Sequence, residues 1–337
     1  MNPKKRKEAS VIPAKQGAPV AQGAPASAGI QCGWLELVRL PNLFTVPGDV
    51  LAGVALSSSN SLFFVFPVLF PVLFAVLMVS LFLYTSGLIL NDYVDLETDR
   101  IERPRRPLPS GRVQPKTALM IAIALLVLAL TLSFFTSQTI HENSSLFGVT
   151  CGSAVLILFY NCLGRKIPLL GFTVMGLCRG ANILLGASLG AKLFSAAVVT
   201  GACVEAFYIA AVSSLAHQET KGDLRGLKRF VPLVPLVGLA GLGLLFQFSF
   251  LWMGIILFTF AWIFSVLWPS LSDGCHQTPV KIGKLIRALI LIQSGLIICG
   301  LTMNKNPGQS RYVFIFLAFL AVLFFFSEWT GRWFYGS

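Results

Sequence analysis

The strongest constraint on this chain is a series of long apolar segments, each close to the length of a bilayer-spanning helix. About 20 apolar residues in a helix cross the hydrocarbon core of a membrane. Charged residues make up 12% of the chain, whereas a soluble domain has roughly 25%. Backbone groups surrounded by lipid need partners within the protein, and helices provide them. The apolar segments are residues 35–57, 62–91, 116–136, 147–163, 169–190, 194–215, 231–249, 251–268, 285–302 and 311–328.

These segments predict an all-α fold, a polytopic membrane helix bundle of nine to ten transmembrane helices. The count has two values because the seventh and eighth segments nearly touch. The seven cysteines form no C-x-x-C pair, and the three histidines lie far apart in the sequence. A zinc site or a disulfide framework is therefore not indicated.

Residues 1–30 differ in kind from the rest of the chain. A basic run, Lys4–Lys7, opens a stretch rich in Pro, Ala, Gly and Gln that has no apolar core. The lack of such a core argues against a cleaved signal peptide. We expect a disordered basic cytoplasmic tail near anionic lipid rather than a nucleic-acid-binding segment. Residues 31–337 then form one membrane-embedded domain.

The basic residues also predict how the bundle is oriented. The loops after the even-numbered segments are rich in Lys and Arg, and the loop between segments two and three alone carries six, from Arg100 to Lys116. The loops on the opposite side carry few. Because cytoplasmic loops are enriched in Lys and Arg, the amino terminus and the even-numbered loops are predicted to face the cytoplasm.

The first acidic window lies at the end of the second segment. Asp92, Asp95 and Asp99 are spaced i, i+3 and i+7, with Asn91 beside them. On one helix this spacing places the three carboxylates on a common face, where they repel one another near the membrane. A divalent cation would relieve that repulsion, and carboxylate oxygens are the ligands that Mg²⁺ prefers. The window therefore predicts a Mg²⁺ site.

The residues that follow are suited to phosphate groups. The stretch from Arg103 to Arg112 combines arginines with prolines, which make it stiff and non-helical. Guanidinium groups donate paired hydrogen bonds to phosphate oxygens. Carboxylates for a metal and arginines for phosphates, placed side by side, indicate a site for a metal-bound diphosphate.

These motifs closely resemble a known family. The run N-D-Y-V-D-L-E-T-D at 91–99, followed by R-P-R-R-P-L-P-S-G at 103–111, resembles the first signature of the UbiA prenyltransferase family. Weaker resemblances are the R-L-P-N run at 39–42, Tyr160–Asn161 with 166–171, R-G-A-N at 179–182, and Gly186. The resemblance spans roughly residues 34–303, and the run at 45–53 looks most like the EboC-like subgroup.

The resemblance implies an intramembrane transferase that moves a prenyl group from an isoprenoid diphosphate to an aromatic or lipophilic acceptor with Mg²⁺. Its domain would be 31–337, in a bacterial inner membrane and in contact with lipid. The implied catalytic and metal-binding side chains are Asp92, Asp95, Asp99, Glu219 and Asp223. The implied substrate-binding side chains are Arg39, Asn42, Asn91, Arg103, Arg106, Tyr160, Lys166, Arg179, Asn182 and Lys221.

The second acidic window departs from the pattern of the first. The same spacing at the end of the sixth segment falls on Ala216, Glu219 and Asp223, so one carboxylate is missing. A second metal ion would then be bound weakly or not at all, or Lys221 would replace part of its charge. The sequence leaves these alternatives open.

Four polar residues lie deeper in the predicted membrane segments. Arg179 and Asn182 share a helical face, and an unpaired arginine is costly in lipid, so we expect a carboxylate partner from Asp49 or Glu205. Glu205 would either orient an acceptor and take its proton, or bond to a neighbouring helix.

Three rival functions remain at this stage. Buried charges in ten helices would suit a transporter, although the charges cluster at one face. Another aspartate-using membrane transferase is a second rival, although the D-G-x-x-A-R pattern is absent. Ala216 motivates the third, a degenerate non-catalytic lipid-binding protein of the same fold.

Overall fold

A computed structural model describes residues 26–57, 66–140, 145–190, 192–220, 227–246, 249–268, 278–303 and 310–334. Within these ranges the chain is helical and contains no strand. The α-helices are α1 (Ala26–Leu37), α2 (Leu40–Leu43), α3 (Val46–Ser57), α4 (Phe66–Val94), α5 (Leu96–Glu102), α6 (Pro115–Thr139), α7 (Leu146–Cys162), α8 (Pro168–Ala187), α9 (Ala196–Thr220), α10 (Val234–Phe246), α11 (Phe250–Leu267), α12 (Thr278–Met303) and α13 (Ser310–Phe334). Short 3-10 helices cover Gly164–Lys166 and Leu227–Leu233.

The predicted membrane bundle is confirmed. Eight of the described spans are long and apolar enough to cross a bilayer, and two shorter apolar helices cover 146–162 and 229–241. Together they correspond to the ten apolar segments of the sequence. The seventh and eighth segments are separate helices, α10 and α11. The chain is therefore an integral, multi-pass membrane protein.

The predicted tail lies mostly outside the described residues, which start at residue 26. Helix α1 begins at Ala26, inside the stretch that the sequence assigns to the tail. The tail boundary and the state of residues 1–25 stay predictions.

Helix α3 forms the centre of the bundle. Each of its residues, from Val46 to Ser57, is buried, and it packs between α8 and α12. Its backbone lies very close to that of α8 at Gly186, where a β-carbon would collide with the backbone oxygen of Val50. Small residues allow this approach of backbones in membrane bundles. The contact brings the polar residues of α3 and α8 together.

The last helix, α13, closes one side of the bundle against α2 and α12. The buried Arg287 of α12 pairs with Glu328 of α13, with 2.6 Å between Nε and Oε1. The hydroxyl of Ser327 donates to the backbone oxygen of Pro41 in α2, at 2.6 Å. Phe326 stacks on Phe44, with ring centroids 6.0 Å apart. Helix α13 thus supports the short helix that begins next to Arg39.

Candidate active site

A cavity of about 450 Å³ lies at one end of the bundle. Its walls come from the carboxyl-terminal parts of α4, α7 and α9 and from the amino-terminal parts of α8 and α12. Helix ends that meet at one cavity lie on the same side of the bundle. The carboxyl-terminal ends of α4, α7 and α9 and the amino-terminal end of α12 therefore share one face, in agreement with the side that the distribution of charge predicts for these helix ends.

The cavity has largely apolar walls, with polar side chains at its mouth and at its inner end. The residues of α8 that line it run from Pro168 to Asn182, a rise of roughly 20 Å at 1.5 Å per residue. Side chains such as Leu83, Met175 and Ile209 form its inner walls. The polar side chains nearest the helix ends are Arg39, Asn42, Asn91 and Tyr160. This layout suits a ligand with a long apolar chain and a polar head.

The first acidic window lies beside this mouth, with its carboxylates held by arginines. Asp92 is 6% exposed and Asp99 is 3% exposed. Arg39 donates to Asp92 at 3.1 Å, and Arg106 donates to Asp99 at 2.7 Å. Arg106 also lies 3.6 Å from Asp92, and Arg103 lies 3.9 Å from Asp99. Arg106 therefore links the two buried carboxylates, which confirms that they share a face.

The window is not one uninterrupted helix. Helix α4 ends at Val94, Asp95 stands at the junction, and α5 begins at Leu96. The backbone amide of Asp95 still bonds to the oxygen of Asn91 at 3.0 Å, and that of Asp99 bonds to the oxygen of Asp95 at 2.8 Å. The i to i−4 pattern thus continues through the junction and keeps the helical spacing.

Arg39 has an unusual backbone, with φ at 49°. Left-handed backbone is uncommon for any residue other than glycine, and such strain is concentrated at functional sites. The side chain of Arg39 lines the cavity and bonds to Asp92. The strained turn between α1 and α2 therefore holds a guanidinium between the cavity and the acidic window.

The donor set at this window fits a magnesium ion. Asp92 and Asp99 offer buried carboxylate oxygens, which are the ligands of choice for Mg²⁺. In the described ranges, no three His, Cys, Asp or Glu side chains come together as a metal site. The arginines instead neutralise the carboxylates, so a metal ion would have to displace Arg106 or Arg39 from them.

A second polar network lies at the inner end of the cavity and joins α3, α8 and α12. Arg179 pairs with Asp49, with 2.8 Å between Nε and Oδ2, and both side chains are buried. Asn182 donates to the same oxygen at 3.3 Å. The amide of Gln293 donates to Asp49 and, at 2.9 Å, to the backbone oxygen of Thr45. The predicted carboxylate partner of Arg179 is thus Asp49.

Glu205 was the other candidate partner, and its surroundings are different. It is fully buried, does not line the cavity, and faces the amide of Gln293 on α12. Neither of its carboxylate oxygens meets the geometry of a hydrogen bond with a described residue. Of its two predicted roles, this placement favours contact with a neighbouring helix over contact with an acceptor.

The second acidic window is described only in part. Ala216 lines the cavity next to His217, and the backbone of Glu219 belongs to the last turn of α9. The side chain of Glu219, together with Lys221 and Asp223, lies outside the described residues. The position that lacks a carboxylate in the sequence therefore faces the cavity.

The other predicted substrate-binding residues divide into two groups. Arg179 and Asn182 line the inner end of the cavity, and Tyr160 lines its mouth. Lys166 is exposed and does not line the cavity. The structure therefore does not bring Lys166 to the ligand space with the others.

Two cavity residues were given no role from the sequence, although Asn161 belongs to one of the stretches that resemble the family. Asn161 follows Tyr160, and His217 follows Ala216, and both side chains line the cavity. Gln293, which joins the inner network, was also missed. The signal that would have found them is the presence of single polar side chains in otherwise apolar segments, which are functional candidates by default.

Comparisons with known proteins agree with this architecture. Residues 49–270 match the UbiA prenyltransferase family, which is more than half of the chain. Digeranylgeranylglyceryl phosphate synthase of Methanosarcina mazei is 34% identical over 171 residues, which cover 48% of this chain and 56% of that protein. The enzyme of the same name from Methanocaldococcus jannaschii is 29% identical over 166 residues, covering 49% and 54%. The chain thus spans about half the length of the curated relatives it matches.

Two solved structures share the fold. A structure of digeranylgeranylglyceryl phosphate synthase aligns with a TM-score of 0.54 and 20% identity, covering 80% of this chain and 98% of that one. A UbiA homolog from Aeropyrum pernix K1 aligns with a TM-score of 0.55 and 15% identity, covering 76% and 97%. At these identities the likeness concerns the fold alone.

Proposed function

Because this chain belongs to the UbiA prenyltransferase family, we propose that it transfers a prenyl group from an isoprenoid diphosphate to a lipophilic acceptor. The observation that carries the proposal is the pair of buried carboxylates, Asp92 and Asp99, beside the mouth of a deep, largely apolar cavity. They do not line the cavity themselves, but Arg39, which lines it, bonds to Asp92. The cavity would hold the prenyl chain, and the mouth would hold the diphosphate. Both substrates would enter the cavity laterally from the lipid bilayer.

The side chains at the mouth would bind the diphosphate. Asp92, Asp95 and Asp99 would hold Mg²⁺, with Glu219 and Asp223 of the second acidic window contributing. Mg²⁺ there would supply positive charge that stabilises the departing diphosphate. Arg39, Arg106 and Arg103 now neutralise carboxylates. If those carboxylates held Mg²⁺, the guanidinium groups would be free to donate hydrogen bonds to the phosphate oxygens.

The cavity walls would protect the reaction. Breaking the C–O bond of an allylic diphosphate leaves an allylic cation, which water would quench. Apolar walls such as Leu83 and Met175 exclude water. The rings of Tyr84 and Phe172 also line the cavity, and ring faces attract cations. The acceptor then attacks the cation, and the proton that it loses passes to the departing diphosphate.

The acceptor class follows from the curated relatives. Their name describes a glyceryl phosphate that carries two geranylgeranyl groups. Assembly of such a compound joins a geranylgeranyl group to a hydroxyl of a glyceryl phosphate. We propose geranylgeranyl diphosphate as the donor and a hydroxyl-bearing lipid of this kind as the acceptor, with a phenolic aromatic compound as the alternative.

We also propose that the cavity mouth faces the cytoplasm, since the basic loops lie on that face. In a variant whose seven native cysteines are replaced, a single cysteine introduced into the loop between segments two and three should react with a membrane-impermeant maleimide in inverted vesicles and not in right-side-out vesicles. The reverse pattern would contradict the orientation. The bacterial inner membrane stays a prediction, and the relatives named above are archaeal.

The activity is tested with purified protein in detergent, Mg²⁺, labelled geranylgeranyl diphosphate and the two classes of acceptor. Diphosphate release should require Mg²⁺ and fall at least about 100-fold in Asp92→Asn and Asp99→Asn, since each removes charge stabilisation of the leaving group. Glu97→Gln is the matched control because Glu97 is an exposed acid in the same helical stretch.

Other outcomes would point to the rival functions. Metal-independent flux of substrate across liposomes, without diphosphate release, would contradict the transferase and favour a transporter. Binding of the donor without turnover of any acceptor would favour a lipid-binding protein, the reading that Ala216 motivates.

A further inference from the structure

Asn161 carries an unused hydrogen-bond acceptor in the wall of the cavity. Its side chain is 4% exposed, it belongs to the cavity wall, and its Oδ1 atom has no hydrogen-bond partner among the described residues. The amide nitrogen of the same side chain donates to the backbone oxygen of Ile157 at 2.9 Å. The last turn of α7 thus carries one satisfied and one unsatisfied amide atom.

The identity of the unsatisfied atom is fixed by its neighbour. The oxygen and nitrogen of an asparagine amide are distinguished by their partners, since a backbone carbonyl can only accept a hydrogen bond. The atom next to the oxygen of Ile157 must therefore be the nitrogen, and the atom left over must be the oxygen. A buried acceptor without a donor costs free energy, so a ligand that brings a donor would be favoured here.

The chemistry of the site decides which substrate brings that donor. A prenyl chain has no polar hydrogen, and the oxygens of an ionised diphosphate are acceptors themselves and would repel Oδ1. A hydroxyl group on the acceptor substrate would donate to it. Asn161 lies in the last turn of α7 next to Tyr160, and both line the mouth of the cavity with Asn91. The prenyl carbon that is bonded to the diphosphate would react at this mouth.

From these contacts we infer that Asn161 Oδ1 binds the hydroxyl of the acceptor substrate and orients its oxygen toward the reacting carbon. The inference rests on the proposed function and narrows it to acceptors that carry a hydroxyl. A carboxamide is not a base, so Asn161 is a positioning residue and does not remove the proton. The hydroxyl belongs to a glyceryl phosphate lipid or to a phenol.

Binding measurements test this position without relying on turnover. The probes are geranylgeranylglyceryl phosphate and a prenylated phenol, each compared with its methyl ether, with geranylgeranyl diphosphate and Mg²⁺ as a separate ligand. In the unaltered protein, methylation of the recognised hydroxyl should weaken binding by about 5- to 150-fold, the range for one unsatisfied buried group. The class of probe that shows this loss identifies the source of the hydroxyl.

Two variants distinguish the acceptor atom from the rest of the side chain. In Asn161→Leu the hydroxyl compound and its ether should bind equally, while binding of the diphosphate stays unchanged. In Asn161→Asp an oxygen acceptor remains and the donor to Ile157 is lost, so the preference for the hydroxyl should persist. A preference lost in both variants would indicate a merely structural role and overturn the inference.

The remaining outcomes separate the inference from its premise. Equal binding of hydroxyl and ether by the unaltered protein would overturn the inference alone, because a water molecule would then serve Asn161. Failure of the unaltered protein to bind geranylgeranyl diphosphate with Mg²⁺ would overturn the proposed function, and the inference with it.

Discussion

Replacement of Asp49 by asparagine should strongly destabilise the bundle. Arg179 is 5% exposed and its Nε lies 2.8 Å from Asp49, so Asp49→Asn leaves a buried guanidinium without a counter-charge. Breaking a buried ion pair at one partner typically costs about 3–5 kcal/mol. The equilibrium constant for unfolding would rise by roughly 140- to 3,700-fold at 1.4 kcal/mol per factor of ten.

The matched control is an ion pair at nearly the same distance on the surface. Glu97 and Arg100 lie 2.7 Å apart, with 80% and 54% of their side chains exposed. Exposed pairs contribute little to stability, so Glu97→Gln should change the unfolding free energy far less than Asp49→Asn does. Both are measured in lipid–detergent micelles titrated with dodecyl sulfate, with tryptophan fluorescence as the signal.

A double variant completes the test. Asp49→Asn combined with Arg179→Gln removes both charges, so it should be more stable than Asp49→Asn alone. Equal effects of Asp49→Asn and Glu97→Gln would refute the argument that burial sets the cost. A double variant less stable than either single variant would refute the argument that the unpaired charge is the cause.

Three further predictions concern the metal site and the last helix. Ala216→Asp places a carboxylate on the cavity wall and should lower the Mg²⁺ concentration for half-maximal activity; an unchanged or raised requirement would count against the spacing argument. Arg106→Gln removes the cation that competes with metal for two carboxylates, so the free protein should bind Mg²⁺ more tightly while KM for the prenyl diphosphate rises. Arg112→Gln should do neither, since Arg112 pairs with Glu36 and not with Asp92 or Asp99. Glu328→Gln leaves the buried Arg287 without its carboxylate and should lower the melting temperature in detergent; an unaltered melting temperature would show that the pair does not hold α13 in place.

The helices were predictable because each depends on a local property of the sequence. An apolar run long enough to cross lipid has few alternatives to a helix, and all ten runs are helices. The first acidic window was also predictable, since its spacing and its arginines are adjacent in sequence. The partner of Arg106 could be predicted because Asp99, to which it donates, is only seven residues away in the sequence.

The rest of the site depends on contacts between distant segments. Gln293 has no sequence neighbour that suggests a partner, and it meets Thr45 and Asp49 only because α12 packs on α3. The unsatisfied oxygen of Asn161 can be recognised only when its burial and the partner of its nitrogen are known. For Arg179 the need for a partner followed from its position inside a membrane segment, but the choice of Asp49 over Glu205 required the structure.

The tie between Gln293 and Asp49 has a practical consequence for anyone who shortens this protein. The family match stops at residue 270, and a version trimmed there would end before α12 begins. It would lose the glutamine that braces the central aspartate, and with it one wall of the ligand chamber. The end of the family match is therefore not a safe place to truncate the protein. A shortened protein that retains the cavity should extend at least through α12.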